Sequence, residues 1–169
     1  MRLKSALRRG VAAAVIAGIV VSSGIPAYAK TWDIADGDIT VKGESDGSEN
    51  YNKVKQGNSE FEKDEGETVI TSKSGKSEKH TVTIDTSKGN VDVTFDDLKI
   101  DVSGKKEGDG NDDGPVRESK AAVTVKGGGD ATIELDGKNE MKSGSYNAGL
   151  EKNKQESKGT MTIKDDKGK

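Results

Sequence analysis

Short runs of alternating apolar and polar residues recur along most of the chain after residue 38. Ile39-Thr40-Val41 is one, and Thr81-Val82-Thr83-Ile84 is another. Val91-Asp92-Val93-Thr94-Phe95 is followed at once by Leu98-Lys99-Ile100-Asp101-Val102. Ala121-Ala122-Val123-Thr124-Val125, Ala131-Thr132-Ile133-Glu134-Leu135 and Thr160-Met161-Thr162-Ile163 complete the set. A period of two over four or five residues predicts strands with one buried face. Turns rich in Gly, Asp, Asn and Lys separate them: Ser87-Lys88-Gly89-Asn90, Lys126-Gly127-Gly128-Gly129-Asp130 and Asp136-Gly137-Lys138-Asn139. No segment after Ala29 carries a helical period of apolar residues. The expected class is all-β.

The alternation also repeats at an offset of 40. Gly89-Asn90-Val91-Asp92-Val93-Thr94-Phe95-Asp96 lies over Gly129-Asp130-Ala131-Thr132-Ile133-Glu134-Leu135-Asp136, and Ser103-Gly104 lies over Ser143-Gly144. Such a repeat fits two stacked coils of about 20 residues each, as in a β-solenoid. Paired hairpins in a β-sandwich are the alternative. Two stretches break the pattern. Residues 43–66 are charged, with Tyr51, Val54 and Phe61 as their only large apolar groups, and predict an irregular segment. Residues 104–119 predict a loop inserted between coils.

The first 29 residues read as an address. Arg2, Lys4, Arg8 and Arg9 precede the apolar run Val11–Val21, and Ala27-Tyr28-Ala29 supplies small residues for cleavage before Lys30. This is the pattern of a secretory signal peptide. The run is too short for a bilayer, which takes about 20 apolar residues. The division is therefore 1–29 signal and 30–169 a single domain, secreted or held at the cell surface, with no membrane span after cleavage.

Composition then favours the solenoid. The chain has 169 residues, and 18 of its apolar residues fall in the first 29, leaving 32 in the remaining 140. Leu, Ile, Val and Phe make only 22 of those 140, well below what a conventional helical or α/β core uses. Stacked coils need only one or two inward residues per strand, because each coil covers the next. With no Cys and one His, disulfides, cysteine-based metal sites and a Ser-His-Asp centre are excluded or nearly so. After Ala29 the chain keeps 23 Lys+Arg against 30 Asp+Glu, a net charge near −7, which argues against nucleic acid as a partner.

The order of these motifs resembles secreted bacterial proteins with a right-handed parallel β-helix, many described as carbohydrate-binding domain proteins. The segments concerned are Trp32–Val41, Val93–Gly104, Gly129–Asn139 running into Ser143–Lys152, and Gly159–Ile163. The resemblance implies an extracellular β-helix, with carbohydrate affinity in some members and calcium in others. Members usually continue with further Gly-rich coils, so a short version or a truncated chain is expected here.

Candidate chemistry follows. Asp109-Gly110-Asn111-Asp112-Asp113-Gly114 opens like a calcium loop, so Asp109, Asn111 and Asp113 are candidate Ca²⁺ ligands, although Lys120 stands where a bidentate Glu belongs. Asp33, Asp36 and Asp38 form a second acidic cluster and a second set of candidate Ca²⁺ ligands, and Asp96, Asp97 and Asp101 form a third acidic cluster. Sugar C–H faces stack on aromatic rings. Tyr146 with Asn147 in a turn, and Trp32 at the start of the domain, are the candidate ligand-binding residues. Trp32 could instead cap the solenoid, and Phe95 has the parity of a core residue. The expected function is a monomeric, non-enzymatic module binding a polysaccharide or cell-wall glycan. A structural or adhesive surface solenoid is one alternative. A calcium-dependent polysaccharide lyase is the other, with Arg117, the only Arg after Ala29, as its base.

Overall fold

The computed structural model describes residues 30–103, 120–144, 146–152 and 158–165. Residues 1–29, read above as a signal peptide, and residues 104–119, read above as a loop, with Asp109, Asn111, Asp113 and Arg117, lie outside the described residues. The protein is all-β. Its first strands are β1 (Thr31–Asp33), β2 (Ile39–Ser45), β3 (Asn50–Gln56) and β4 (Glu62–Asp64). Then come β5 (Thr68–Thr71), β6 (Val82–Asp85), β7 (Val91–Asp96), β8 (Lys99–Asp101) and β9 (Val123–Lys126). The last are β10 (Ala131–Asp136), β11 (Glu140–Lys142), β12 (Leu150–Lys152) and β13 (Met161–Lys164). One short 3₁₀ turn, Ile34–Asp36, joins β1 to β2.

These strands form three sheets. The first has the order β1-β5-β7-β10-β13 and is parallel throughout. The second is the parallel pair β8-β11, extended by a single parallel bridge from Glu78 to Ile100. The third runs β12-β9-β6-β2-β3-β4: its first four strands are parallel, and β3 and β4 add in antiparallel fashion. In chain order, β7, β8 and β9 belong to the first, second and third sheets, and β10, β11 and β12 repeat that sequence. β13 then returns to the first sheet.

The sparse apolar side chains suffice because they stack in register. Val82 has Ile39 on one neighbouring strand and Val123 on the other, and all three are buried. Ile84 lies likewise between Val41 and Val125. In the first sheet the column is Trp32, Ile70, Phe95, Leu135. Each inward residue is covered above and below by another, so one buried side chain in two along a strand closes the core.

The 40-residue repeat has a different meaning from the expected one. Val91 to Asp96 pair directly with Ala131 to Asp136, so strands 40 residues apart are immediate neighbours in one sheet, with no strand of that sheet between them. The preceding step in the same sheet, Thr68 to Val93, takes only 25 residues. The longer step contains the 16 residues of 104–119. The matched segments look alike because they are neighbours under the same packing constraint.

Side chains in the turns tie neighbouring parallel strands' connections together. Asn90 Oδ1 accepts from the Asp130 N–H (2.9 Å), and Asp130 Oδ1 accepts from the Thr160 N–H (2.7 Å). At the next corner Asn139 Oδ1 accepts from Leu98 N–H and Asp97 Oδ1 from Lys138 N–H. These bonds satisfy backbone donors where the ladders are interrupted.

Residues 43–66 correct the sequence reading. The segment expected to be irregular continues β2 and then forms β3 and β4. The alternation was hidden because polar residues occupy inward positions: Asn52 and Asp64 are both buried. At the hairpin tip Asp46 accepts from Ser48 N–H, Ser48 Oγ–H and Glu49 N–H, which lowers its carboxyl pKa to about 2. Gly43 lets the hairpin cross the corner between β6 and β7. A Cβ on Gly43 would come within 2.3 Å of the Gly89 carbonyl oxygen and 2.5 Å of that of Asn90. Backbone meets backbone there, and no side chain fits.

Candidate functional site

The hairpin borders a groove of about 560 Å³. Its floor is the outer face of the first sheet. In-register outward positions supply it: Asp92 beside Thr132, and Thr94 beside Glu134 beside Lys164. One wall is the start of β3, with Asn50, Tyr51 and Asn52, and the rim includes Gly66, Glu67 and Asn90. Asn52 fastens the wall to the floor. Its Nδ2–H₂ group donates to Thr68 Oγ1 at 2.8 Å and to the Asp92 carbonyl at 2.7 Å. Thr94 Oγ1–H donates to Glu67 Oε1 at 2.5 Å, which aims that carboxylate.

Tyr51 is the aromatic group of the groove. It is half-buried and pairs across the hairpin with Glu44, to which its hydroxyl donates at 3.5 Å. The Lys63 and Lys53 ammonium groups lie 5.1 and 5.9 Å from its ring centroid, a cation–π distance. Lys53 also pairs with Glu44 at 2.8 Å, and that hydrogen bond holds the Glu44 carboxyl below its ordinary pKa. Glu44 and the two lysines thus brace the phenol from several sides.

The residues singled out from sequence lie elsewhere. Trp32 is 5% exposed, donates its Nε1–H to Asp64 Oδ2 at 2.9 Å, and has the Lys30 ammonium 3.8 Å from its centroid. It lies in the core beside β4 and does not line the groove. Tyr146 is fully exposed at a turn with φ 67°, and the Asn147 carbonyl accepts from Ser143 Oγ–H at 2.6 Å. Neither lines the groove. Phe95 is wholly buried, as its parity predicted.

Two members of the Asp33, Asp36 and Asp38 cluster, Asp33 and Asp38, are drawn into local structure. Asp33 Oδ1 caps the 3₁₀ turn through Ala35 N–H, and Asp38 Oδ1 accepts from the Thr81 N–H and lies 3.6 Å from His80 Nδ1. Among the described residues no group of three His, Cys, Asp or Glu side chains is placed to hold a metal ion. The third cluster also divides. Asp101 accepts from Ser103 and pairs with Lys142, whereas Asp96 stands in register with Asp136. Partial burial first, then the charges of Asp136 and Asp97, push the Asp96 carboxyl above its usual range.

That shift has a testable sign. A carboxyl with a raised folded pKa opposes folding once ionised, and the penalty vanishes below the unfolded pKa, where both states are protonated. Asp96→Asn is therefore expected to raise Tm at neutral pH by about 1–3 °C. The gain should disappear as pH falls below the ordinary carboxylate range. Melts across that range check it, and a lower Tm at neutral pH would refute it.

The groove residues escaped the sequence reading because they come from five separate segments spread between Asn50 and Lys164. The available signal was Asn50-Tyr51-Asn52-Lys53-Val54, an alternation with amides in place of aliphatics. No protein-family model, curated protein or solved structure matches the chain. No helix among the described residues is long and apolar enough to cross a membrane.

Proposed function

We propose that this chain is a secreted, non-catalytic polysaccharide-binding module on a right-handed parallel β-helix, with the Tyr51 groove as its binding site. Three parallel ladders visited in cyclic order support the β-helix, and parallel crossovers are almost always right-handed. Export rests on the Met1–Ala29 pattern. The observation that carries the function is the groove itself. Its floor takes residues from β7, β10 and β13, so hydroxyl, carboxylate and ammonium groups lie in register on neighbouring strands at a spacing of about 4.8 Å. An extended polymer of hydroxylated rings can follow such a row, stacking one ring on Tyr51.

A glycan screen of the exported chain, with and without calcium, tests this reading. Retardation by one or more glycans without product release is the expected result. Tyr51→Ala should weaken that binding about three- to tenfold, the worth of one stacking contact, while leaving Tm within 2 °C or so. Absence of binding to every glycan, or undiminished binding by the variant, would refute the site. Calcium is tested separately by a melting titration, which reports on the 109–113 loop: a rise in Tm with millimolar-range ion supports it, and no rise removes it.

A further inference from the structure

We infer that the outer face of β2, β3 and β4 binds an acidic polysaccharide, with uronate carboxylates on a row of lysines and a sugar ring on Phe61. Lys42, Lys53 and Lys63 stand directly opposite one another across these three antiparallel strands. They alternate with the buried Val41, Asn52, Val54 and Asp64, so they point away from the core. Like charges in direct opposition cost stability. The chain after Ala29 carries 30 Asp+Glu against 23 Lys+Arg, so three cations in a row run against its overall charge. One partly buried carboxylate, Glu44, serves two of them, Lys42 at 3.8 Å and Lys53 at 2.8 Å. Lys63 has Glu65 at 3.5 Å, but these side chains are 50% and 78% exposed, and such a pair contributes little. Beyond Lys42 the next strand offers Asp85, which pairs with Lys126 at 3.5 Å. Lys55 adds a further cation on the same face of β3, with the neutral Thr40 opposite. The row keeps an excess of positive charge.

Phe61 is an independent sign of a ligand. It is 42% exposed, two residues before Lys63, and its ring lies 5.9 Å from the Lys42 ammonium. An exposed ring beside ammonium groups fits a charged sugar, whose C–H face stacks on the ring while its carboxylate accepts charge-assisted hydrogen bonds. The lysine positions recur at the strand spacing of about 4.8 Å, so successive units of one polymer can each meet a cation. A neutral glycan gains the ring but no charge complement. This face belongs to the third sheet and the groove floor to the first, so the inference does not depend on the groove.

Calorimetric titration of the exported chain tests it, using galacturonate and glucose oligomers of equal length and a single-stranded oligonucleotide with the charge of the galacturonate. Galacturonate should bind at least about tenfold tighter than glucose, and the preference should shrink as salt rises. Lys53→Gln and Lys63→Gln should each weaken galacturonate binding at least about threefold, and Lys63→Arg should retain it. Phe61→Ala should weaken it by a similar factor. Lys76→Gln, an equal charge change at an exposed residue between β5 and β6, should leave it unaltered. Equal or tighter binding of glucose overturns the inference. So does galacturonate binding that ignores Lys53 and Lys63, or that falls as much in Lys76→Gln. An oligonucleotide held as tightly as galacturonate also overturns it, because the face then reads charge without a sugar. Absence of galacturonate binding removes the inference, and neutral glycans then report on the groove by themselves. Galacturonate held through the lysines, with no neutral glycan bound, upholds the inference without the groove.

Discussion

Replacing Phe95 with alanine is expected to lower stability by about 3–5 kcal/mol, the range for emptying a buried aromatic position. Phe95 is fully enclosed, with Ile70 and Leu135 directly beside it on the neighbouring strands. It is the only Phe in the core; Phe61 lies at the surface. A domain of this size has about 5–15 kcal/mol in total, so the loss takes a large fraction of it. The neighbours cannot close the gap easily, because hydrogen-bonded ladders on both sides hold β5 and β10 at fixed spacing. Urea unfolding of the variant and the parent measures the effect. A loss under about 1 kcal/mol would mean that the Trp32-Ile70-Phe95-Leu135 column does not carry the fold.

Gly43→Ala is expected to act on the groove more than on the stack. Its added methyl would meet the Gly89 and Asn90 carbonyl oxygens at 2.3 and 2.5 Å, and both are backbone atoms. Relief requires the hairpin to lift from the corner, because β6 and β7 are fixed on their other sides by β9 and β10. Lifting separates Asn52 from Thr68 and Asp92, and with it the wall that carries Tyr51. The expected result is a loss of about 2–3 kcal/mol, within the range for overpacking, together with at least tenfold weaker glycan binding. The parallel ladders should persist, so β-sheet circular dichroism is retained below the melt. Binding at parental strength would show that the hairpin wall is not part of the site.

How much of this was legible beforehand depended on the kind of contact. Val82, Ile84, Val91, Val93, Phe95, Val123, Val125, Ala131 and Ile133 were assigned to strands by alternation alone, and all are buried. Their surroundings are uniform, because each faces the same aliphatic interior. Asn52 and Asp64 were not legible as inward residues. A polar side chain is buried only where a partner awaits it, and the partners Thr68, Asp92 and Trp32 lie 16 to 40 residues away. The two readings of Trp32 stayed open for the same reason: its burial shows only once Asp64 is found against the indole N–H. The 40-residue repeat was visible, but that its two copies are direct neighbours in one sheet depended on the pairing of β7 with β10.

The sequence by itself determined that this protein is all-β, that its core is thin, and where most of the strands run. Those properties follow from side-chain periodicity and apolar content, which are local or additive. Only the tertiary structure decided that the ladders are parallel over most of three sheets and that β3 and β4 turn antiparallel at one end. It also decided that Tyr51 faces a groove while Trp32 is sealed. These outcomes depend on which backbone passes beside which, and a contact such as Gly43 against Gly89 leaves no trace in the sequence beyond two glycines among 22.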